Sequence, residues 1–317
     1  MSFSSETKTE LAHVMPDKGC CSIAEIAGFV RACGTIRLNE AGEACLVVST
    51  ENPAVARHYK TLLTACFGVS ANMALGSKSF QKAGHSYGIC VDEGGKAEMI
   101  LRRIGILARV DGGDYINDGI SEALLKTKCC RKACLRGLFL GAGTLSDPEK
   151  GYHIEIACGS VGMAADVKRI FNSFVDIHAK IVERKKRLVV YVKDSEQIKD
   201  ILTLMGAHGQ LLKFEDVRIM KEMRNKANRL SNCDNANLDK IVRTAERQIG
   251  EIAKLSGGCG LDGMPQELCS LAELRIANPS ASLSEIGEMM DPPMDKACVY
   301  RRLKKLEKMA AGADGRG

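Results

Sequence analysis

The chain has 317 residues, of which 45% are hydrophobic and 4% aromatic, and its formal net charge is +6. This length predicts two or three compact units with aliphatic cores, and so modest a charge does not by itself indicate a nucleic-acid-binding protein. No stretch approaches the ~20 apolar residues that span a bilayer, and the polar N-terminus lacks the apolar core of a signal peptide. We therefore expect a cytoplasmic protein with no membrane partner.

A pattern near the N-terminus recurs about 109 residues later. The segments EIAGFVRACGTI (25–36) and CLRGLFLGAGTL (134–145) share two glycines at the same spacing and a Gly-Thr ending. Each is followed by the same succession of strands and amphipathic helices. The pattern predicts an α+β duplication, with αββαββα halves at about 20–110 and 130–208 related by a pseudo-two-fold axis, within a domain at 1–212.

Glycines lie inside the first helix of each half, at Gly28 and Gly137. An interior glycine costs about 1 kcal/mol relative to alanine, so these positions need a reason. A close approach of two backbones supplies one, and we predict that the two helices pack side by side. Two unrelated amphipathic helices with incidental glycines are the alternative.

The ends of these helices show capping patterns. Ser22 followed by Glu25 fits a capping box at the start of the first helix. Gly34 and Gly143 follow the two helices, where a left-handed glycine is a common C-terminal cap. We therefore predict a helix start at Ser22 and left-handed glycines at both helix ends.

Fourteen cysteines are spread along the chain. Without an export signal, reduced thiols are the expected state. The dense cluster of Cys129, Cys130 and Cys134 has no partner pair at zinc-finger spacing, so we interpret it as buried helical thiols. The sequence predicts no metal site and no cofactor.

The paired segments IAGFVRACG and LRGLFLGAG resemble the motif of LAGLIDADG homing endonucleases. In that family an acid precedes the final glycine, and the two acids hold divalent metal against the scissile phosphates. Here Cys33 and Ala142 stand at those positions. A thiol and a methyl group cannot replace the oxygen ligands that Mg²⁺ requires. We therefore predict a degenerate domain without catalytic residues and not an enzyme, with a metal-dependent endonuclease as the less favoured alternative.

Two basic stretches occur in the duplicated region. Arg184, Lys185, Lys186 and Arg187 lie in a predicted hairpin turn, and KTKCCRK (126–132) is predicted to precede the central helix of the second half. A basic turn on a sheet could contact phosphates without sequence preference. A solvated turn is the alternative for both.

A polar helical linker is predicted at 213–263. Its later part has an apolar face typical of a packed helix. That face comprises Leu238, Ile241, Val242, Ala245, Ile249 and Ile252. A glycine-rich break then separates the linker from the C-terminal segment.

The C-terminal segment, 264–317, is predicted to form three helices. Pro265 begins the first helix, and Ser282 with Glu285 forms a capping box for the second. Asp295 caps the third helix. The predicted inward residues are Leu268, Leu271, Leu274 and Ile276 or its neighbour in the first helix, Ile286 and Met289 in the second, and Val299, Leu303 and Leu306 in the third.

A short helix, a turn and a longer basic helix are typical of a helix-turn-helix, in which the second helix enters the major groove. The candidates for base contacts are Lys296, Ala297, Tyr300 and Arg301. The candidates for phosphate contacts are Arg302, Lys304 and Lys305. A generic solvated helical hairpin is the alternative.

Nearly the whole chain resembles the WhiA family of bacterial sporulation and cell-division regulators. The most specific segments are FLGAGTLSDPEKGYHIEI, RNKANRLSNCDNANLDK and SLSEIGEMMDPPMDKACVYRRLKKLEK. The resemblance implies a sequence-specific transcription factor with a role in cell division, chromosome segregation and, in lineages that sporulate, sporulation. The chain departs from the family pattern in its many cysteines and at Asp295, where a neutral hydroxyl would suit DNA better.

The implied partner is double-stranded promoter DNA, at the nucleoid. RNA polymerase or another transcription factor is a further candidate partner. A division-associated adaptor that acts through protein contacts is the alternative function.

Overall fold

The computed structural model describes residues 2–38, 42–75, 86–110, 113–185, 187–258 and 264–313. The chain divides into two compact units, Met1–Met220 and Lys221–Gly317. Within the described part of the chain, none of the helices is both long enough and apolar enough to cross a membrane.

The first half of the duplication begins after a short helix, α1 (Phe3–Leu11). It comprises α2 (Gly19–Cys33), β1 (Gly34–Leu38), β2 (Ala44–Thr50), α3 (Pro53–Phe67), β3 (Asn72–Leu75), β4 (Tyr87–Val91) and α4 (Lys96–Arg103). Its antiparallel sheet has the strand order β1-β2-β4-β3. A hairpin, β5 (Leu107–Val110) and β6 (Gly113–Ile116), and the 3-10 helix Glu122–Leu124 lead to the second half.

The second half repeats the first element by element. It comprises α5 (Lys128–Ala142), β7 (Gly143–Leu145), β8 (Ile154–Cys158), α6 (Val161–Asn172), β9 (Lys180–Arg184), β10 (Arg187–Val192) and α7 (Ser195–Met205). Its sheet has the order β7-β8-β10-β9, which matches that of the first half. The predicted duplicated αββαββα fold is confirmed. The stretch KTKCCRK, expected before the central helix, lies mostly within its first turns, because α5 already begins at Lys128.

The two central helices, α2 and α5, pack closely at their interior glycines. A Cβ added at Gly28 would lie 2.4 Å from the backbone oxygen of Cys134, and one at Gly137 would lie 2.1 Å from that of Glu25. Real Cβ atoms do not come so close, so only glycine permits this approach. The predicted side-by-side packing of the two helices is therefore present.

The capping predictions for these helices are wrong. The first helix begins at Gly19, so Ser22 and Glu25 lie inside it and Glu25 is fully buried. Gly34 and Gly143 adopt extended conformations, with φ of −78° and −79°, because each residue starts a strand directly. Their lack of a side chain matters for space, since a Cβ at Gly143 would lie 2.3 Å from the Phe139 ring.

The second unit is helical. It contains the later part of α8 (His208–Gly258), then α9 (Gln266–Ala277), α10 (Leu283–Glu288) and α11 (Lys296–Ala313). The predicted linker at 213–263 thus lies mostly on one continuous helix. Its predicted apolar face is fully buried only at Ala245 and Ile252, and Leu238 is 48% exposed. Residues 259–263 lie outside the described residues.

The core of the second unit joins all four of these helices. Its buried members are Ile252 and Leu255 of α8, Leu268, Leu271 and Ala272 of α9, Ile286 and Met290 around α10, and Val299, Leu303, Leu306 and Ala310 of α11. The inward residues predicted for α11 are confirmed. On α9, Ile276 is 47% exposed and Arg275 is buried in its place.

Arg275 is buried because its guanidinium completes the turn after α9. It donates hydrogen bonds to the carbonyl oxygens of Ala281 at 2.9 Å and Pro279 at 2.7 Å. Burial lowers the pKa of this arginine. Met289, predicted to lie inward on the second helix, is instead its half-exposed C-terminal cap.

Candidate nucleic-acid interface

The short helix α10 and the basic helix α11 are fixed by local hydrogen bonds. The capping box at the start of α10 is present, with Ser282 Oγ accepting from Glu285 N and Glu285 Oε2 accepting from Ser282 N. At the start of α11, Asp295 Oδ1 accepts from Cys298 N at 2.7 Å. Both predicted caps are confirmed, and together they define where each helix begins.

The turn between α10 and α11 depends on Gly287. Met294 N donates to the carbonyl oxygen of Gly287 at 3.0 Å, and a Cβ on Gly287 would lie 2.2 Å from the carbonyl oxygen of Met294. This close approach sets the position of α11 relative to α10. Gly287 is not among the glycines predicted to be structural, although a glycine inside a six-residue helix is a signal of close packing.

The residues predicted to contact bases share one exposed surface at the start of α11. Lys296, Ala297, Tyr300 and Arg301 are all exposed, and Tyr300 is 50% exposed. They follow the i, i+1, i+4, i+5 spacing of one helical face. Arg301 Nε donates to the carbonyl oxygen of Ala297 on its own helix, at 3.3 Å, and no carboxylate among the described residues pairs with its guanidinium.

The residues predicted to contact phosphates differ in their surroundings. Arg302 pairs with Glu267 of α9 at 2.5 Å, and Lys304 pairs with Glu307 at 2.8 Å. Lys305 is exposed, and no ion pair to it is found among the described residues. Arg302 and Lys304 therefore already have intramolecular ion-pair partners, which distinguishes them from Lys305.

The predicted basic turn joins β9 and β10. Arg184 and Arg187 are opposite each other in the antiparallel register of the two strands. Lys185 adopts the left-handed conformation, with φ of 47°. All three residues are exposed, and Arg184 also pairs with Glu155 at 3.1 Å. Lys186 lies outside the described residues.

Cys33 and Ala142, which stand where the LAGLIDADG nucleases have acidic residues, are the last residues of α2 and α5. Cys33 donates to the carbonyl oxygen of Phe29 at 3.3 Å, and burial raises the pKa of its thiol to about 12 although the charge of Lys8 opposes this. Lys8 belongs to α1, which packs against α5 and β7. Its ammonium lies 5.9 Å from the centre of the Phe139 ring. A protonated thiol and a nearby lysine thus occupy the region where the nucleases present carboxylates.

A buried ion pair joins α2 to α5 near their middles. Glu25 accepts from Arg136, whose Nε lies 3.0 Å from Oε2, and Oε1 of the same carboxylate lies 2.8 Å from His58 Nε2. Arg136 also donates to the carbonyl oxygen of Met205 at 3.2 Å. The sequence pattern predicts a capping role for Glu25 and does not indicate this pair, because its two members are 111 residues apart in the chain.

Three family models match the chain in succession. They are the WhiA N-terminal LAGLIDADG-like domain over residues 19–107, the WhiA LAGLIDADG-like domain over 131–224 and the WhiA C-terminal HTH domain over 227–310. The chain belongs to the WhiA family. The WhiA HTH model begins within α8, in agreement with the burial of Ile252 and Leu255 in the second unit.

Curated relatives cover almost the full chain. "Probable cell division protein WhiA" of Alkaliphilus metalliredigens is 39% identical over 310 residues, which is 98% of each chain. The protein of the same name from Thermoanaerobacter pseudethanolicus is 41% identical, over 98% of this chain and 97% of its own. The crystal structure of full-length WhiA from Thermotoga maritima has 23% identity and a TM-score of 0.58 over 99% of both chains, which supports the fold.

Proposed function

We propose that this protein is a sequence-specific DNA-binding transcriptional regulator. It would regulate genes involved in cell division, chromosome segregation and, where the lineage sporulates, sporulation. The observation that supports DNA binding best is the exposed face of α11, because Arg301 and Lys296 point to solvent there without a carboxylate partner among the described residues. The role in cell division rests on the names of relatives that are about 40% identical over nearly the full chain.

The proposed roles of the α11 residues follow from their surroundings. Lys296, Tyr300 and Arg301 would contact base edges from the N-terminal half of the helix, with the methyl of Ala297 against the groove floor. Lys305 would contact a phosphate. Arg302 and Lys304 are weaker phosphate candidates than Lys305, because a contact would compete with Glu267 and Glu307.

The hairpin residues Arg184, Lys185 and Arg187 are proposed as additional phosphate contacts of the duplicated domain. The turn projects three exposed basic side chains, which suits attraction to the DNA backbone without sequence preference. Because Arg184 already pairs with Glu155, Lys185 and Arg187 should account for most of the attraction of this turn to the DNA backbone. The same role is proposed for Lys186.

The protein is proposed to have no nuclease activity. Metal-assisted phosphodiester cleavage requires oxygen ligands for the metal, and Cys33 and Ala142 supply none. The positive charge of Lys8 near Cys33 would also disfavour a divalent cation there. Incubation of the purified protein with DNA and Mg²⁺ or Mn²⁺ should therefore yield no nicked or cleaved product.

The proposed location is the nucleoid, in the cytoplasm, with RNA polymerase or another transcription factor as a further partner. Chromatin immunoprecipitation distinguishes the regulator from the adaptor that acts through protein contacts. Sharp peaks at a shared DNA motif, lost in Arg301→Ala, are expected of a regulator. Diffuse occupancy that Arg301→Ala leaves unchanged would contradict the proposal and favour the adaptor.

A further inference from the structure

Four thiols lie where the central helices of the two halves begin. Cys20 and Cys21 are in the first turn of α2, and Cys129 and Cys130 are in the first turn of α5. Cys21 and Cys130 are 109 residues apart, which is the period of the duplication. Each half therefore contributes one adjacent cysteine pair, and the side-by-side packing of α2 and α5 brings the two pairs together.

The distances between the sulfur atoms are those of a shared metal ligand set. The Sγ atoms of Cys21 and Cys130 lie 4.0 Å apart, and the Sγ atoms of Cys20, Cys21 and Cys130 all lie within 4.8 Å of one another. Two thiolates on a tetrahedral zinc ion, each with a Zn–S bond of about 2.3 Å, lie about 3.8 Å apart. A disulfide would instead require a sulfur separation of about 2.05 Å.

Burial raises the pKa of the Cys21 and Cys130 thiols, so their deprotonation would depend on the bound metal. The first turns of α2 and α5 present the positive ends of two helix dipoles, which favour thiolates there. Cys129 Sγ lies 3.2 Å from Thr127 Oγ1.

We propose that Cys20, Cys21 and Cys130 bind one zinc ion, with Cys129 as the fourth ligand. On binding, each thiol releases its proton to solvent and donates a sulfur lone pair to the metal. Four thiolates and Zn²⁺ carry a net charge of −2, which the two helix N-termini and the nearby Lys18 partly offset. The ion would join the two halves of the duplicated domain at the helix ends opposite Cys33 and Ala142.

The interpretation of Cys129 and Cys130 as buried helical thiols is wrong for Cys129, which is exposed, and the proposed site replaces it for Cys130. That interpretation rested on the absence of a partner pair at zinc-finger spacing in the sequence. The partner pair is instead supplied by the other half of the duplication. Cys134, the third member of the cluster seen in the sequence, is fully buried one turn further along α5 and is not part of the proposed site.

The test uses the full chain, purified under reducing conditions and titrated with zinc or cobalt(II). We expect about one zinc ion per chain by elemental analysis and, for the cobalt form, the intense visible bands of a tetrahedral thiolate site. Cys21→Ser and Cys130→Ser should lose the bound metal. Cys129→Ser should shift the cobalt bands, as expected when one sulfur ligand is replaced by oxygen.

Two matched variants serve as controls. Cys158→Ser removes another buried thiol and Cys233→Ser removes an exposed one, and both should retain the full metal content. Circular dichroism of the metal-free proteins should show that Cys21→Ser and Cys130→Ser fold as the unchanged chain does. The proposal is overturned if the unchanged chain binds no zinc, if Cys158→Ser loses as much metal as Cys21→Ser, or if Cys21 and Cys130 form a disulfide under these conditions.

Discussion

Arg136 in the duplicated domain and Arg301 in the C-terminal unit show how differently the two regions use the same residue type. Arg136 is buried between α2 and α5 and pairs with the fully buried Glu25. Arg301 is exposed on α11, and the hydrogen bond that it makes within the described part of the chain goes to Ala297 of its own helix. The first arginine is therefore expected to affect folding, and the second is expected to affect binding.

The largest effect should come from breaking the buried pair. Glu25→Ala would leave Arg136 charged and without a carboxylate, and the loss of one partner of a buried ion pair typically costs about 3–5 kcal/mol. Chemical denaturation of the full chain should show this decrease in the stability of the first unit. Glu183→Ala, which removes an exposed carboxylate from β9, should change the stability little. Equal midpoints for the two variants would contradict the structural role of Glu25.

A similar but somewhat smaller loss of stability is expected when a side chain is introduced between the central helices α2 and α5. Gly137→Leu places a side chain where even a Cβ would meet the backbone of Glu25, and overpacking of this kind should cost about 3 kcal/mol. Gly159→Leu is the control, because Gly159 is exposed and a Cβ there has open space. Thermal unfolding should separate the two variants, and an unchanged Tm for Gly137→Leu would show that α2 and α5 do not meet there.

In the C-terminal unit, Arg301→Ala should leave the stability unchanged and weaken DNA binding. The expected loss is about 1–3 kcal/mol at the cognate site, with reduced discrimination at the contacted base pair. Fluorescence anisotropy with cognate and scrambled duplexes measures both quantities. An equal loss on both duplexes would mean that Arg301 contacts the phosphate backbone.

The smallest effects should distinguish the lysines of α11. Lys305→Ala should weaken binding to all duplexes alike and reduce the slope of log K against log salt by about 1. Lys304→Ala should change that slope less, because its ammonium already pairs with Glu307. Salt titrations of the two variants provide the comparison, and a larger change for Lys304→Ala would contradict the assignment.

The sequence predicted the duplicated fold correctly because its signals are local and repeated. The glycines of α2 and α5 recur at the same spacing, and the caps at Ser282 and Asp295 require only neighbours within a few residues. The exposed face of α11 followed from the same helical spacing that placed Val299, Leu303 and Leu306 in the core.

The sequence could not predict the contacts that depend on distant partners. Glu25 fits a capping box in sequence, yet its side chain pairs with Arg136, 111 residues later. The position of α1 beside the end of α5, and the meeting of Cys21 with Cys130, likewise depend on tertiary packing. Arg275 was missed for another reason, since burial of an arginine requires carbonyl oxygens that only the folded turn supplies.

The central claim is that α11 selects the DNA sequence while the duplicated domain supplies at most nonspecific attraction. The direct test compares two double variants of the full chain, Tyr300→Ala with Arg301→Ala and Lys185→Ala with Arg187→Ala, for their ratio of cognate to scrambled affinity. The α11 variant should lose about tenfold or more of this ratio, and the hairpin variant should keep the ratio while binding both duplexes more weakly. If the hairpin variant loses the ratio and the α11 variant retains it, sequence selection belongs to the duplicated domain and the account is wrong.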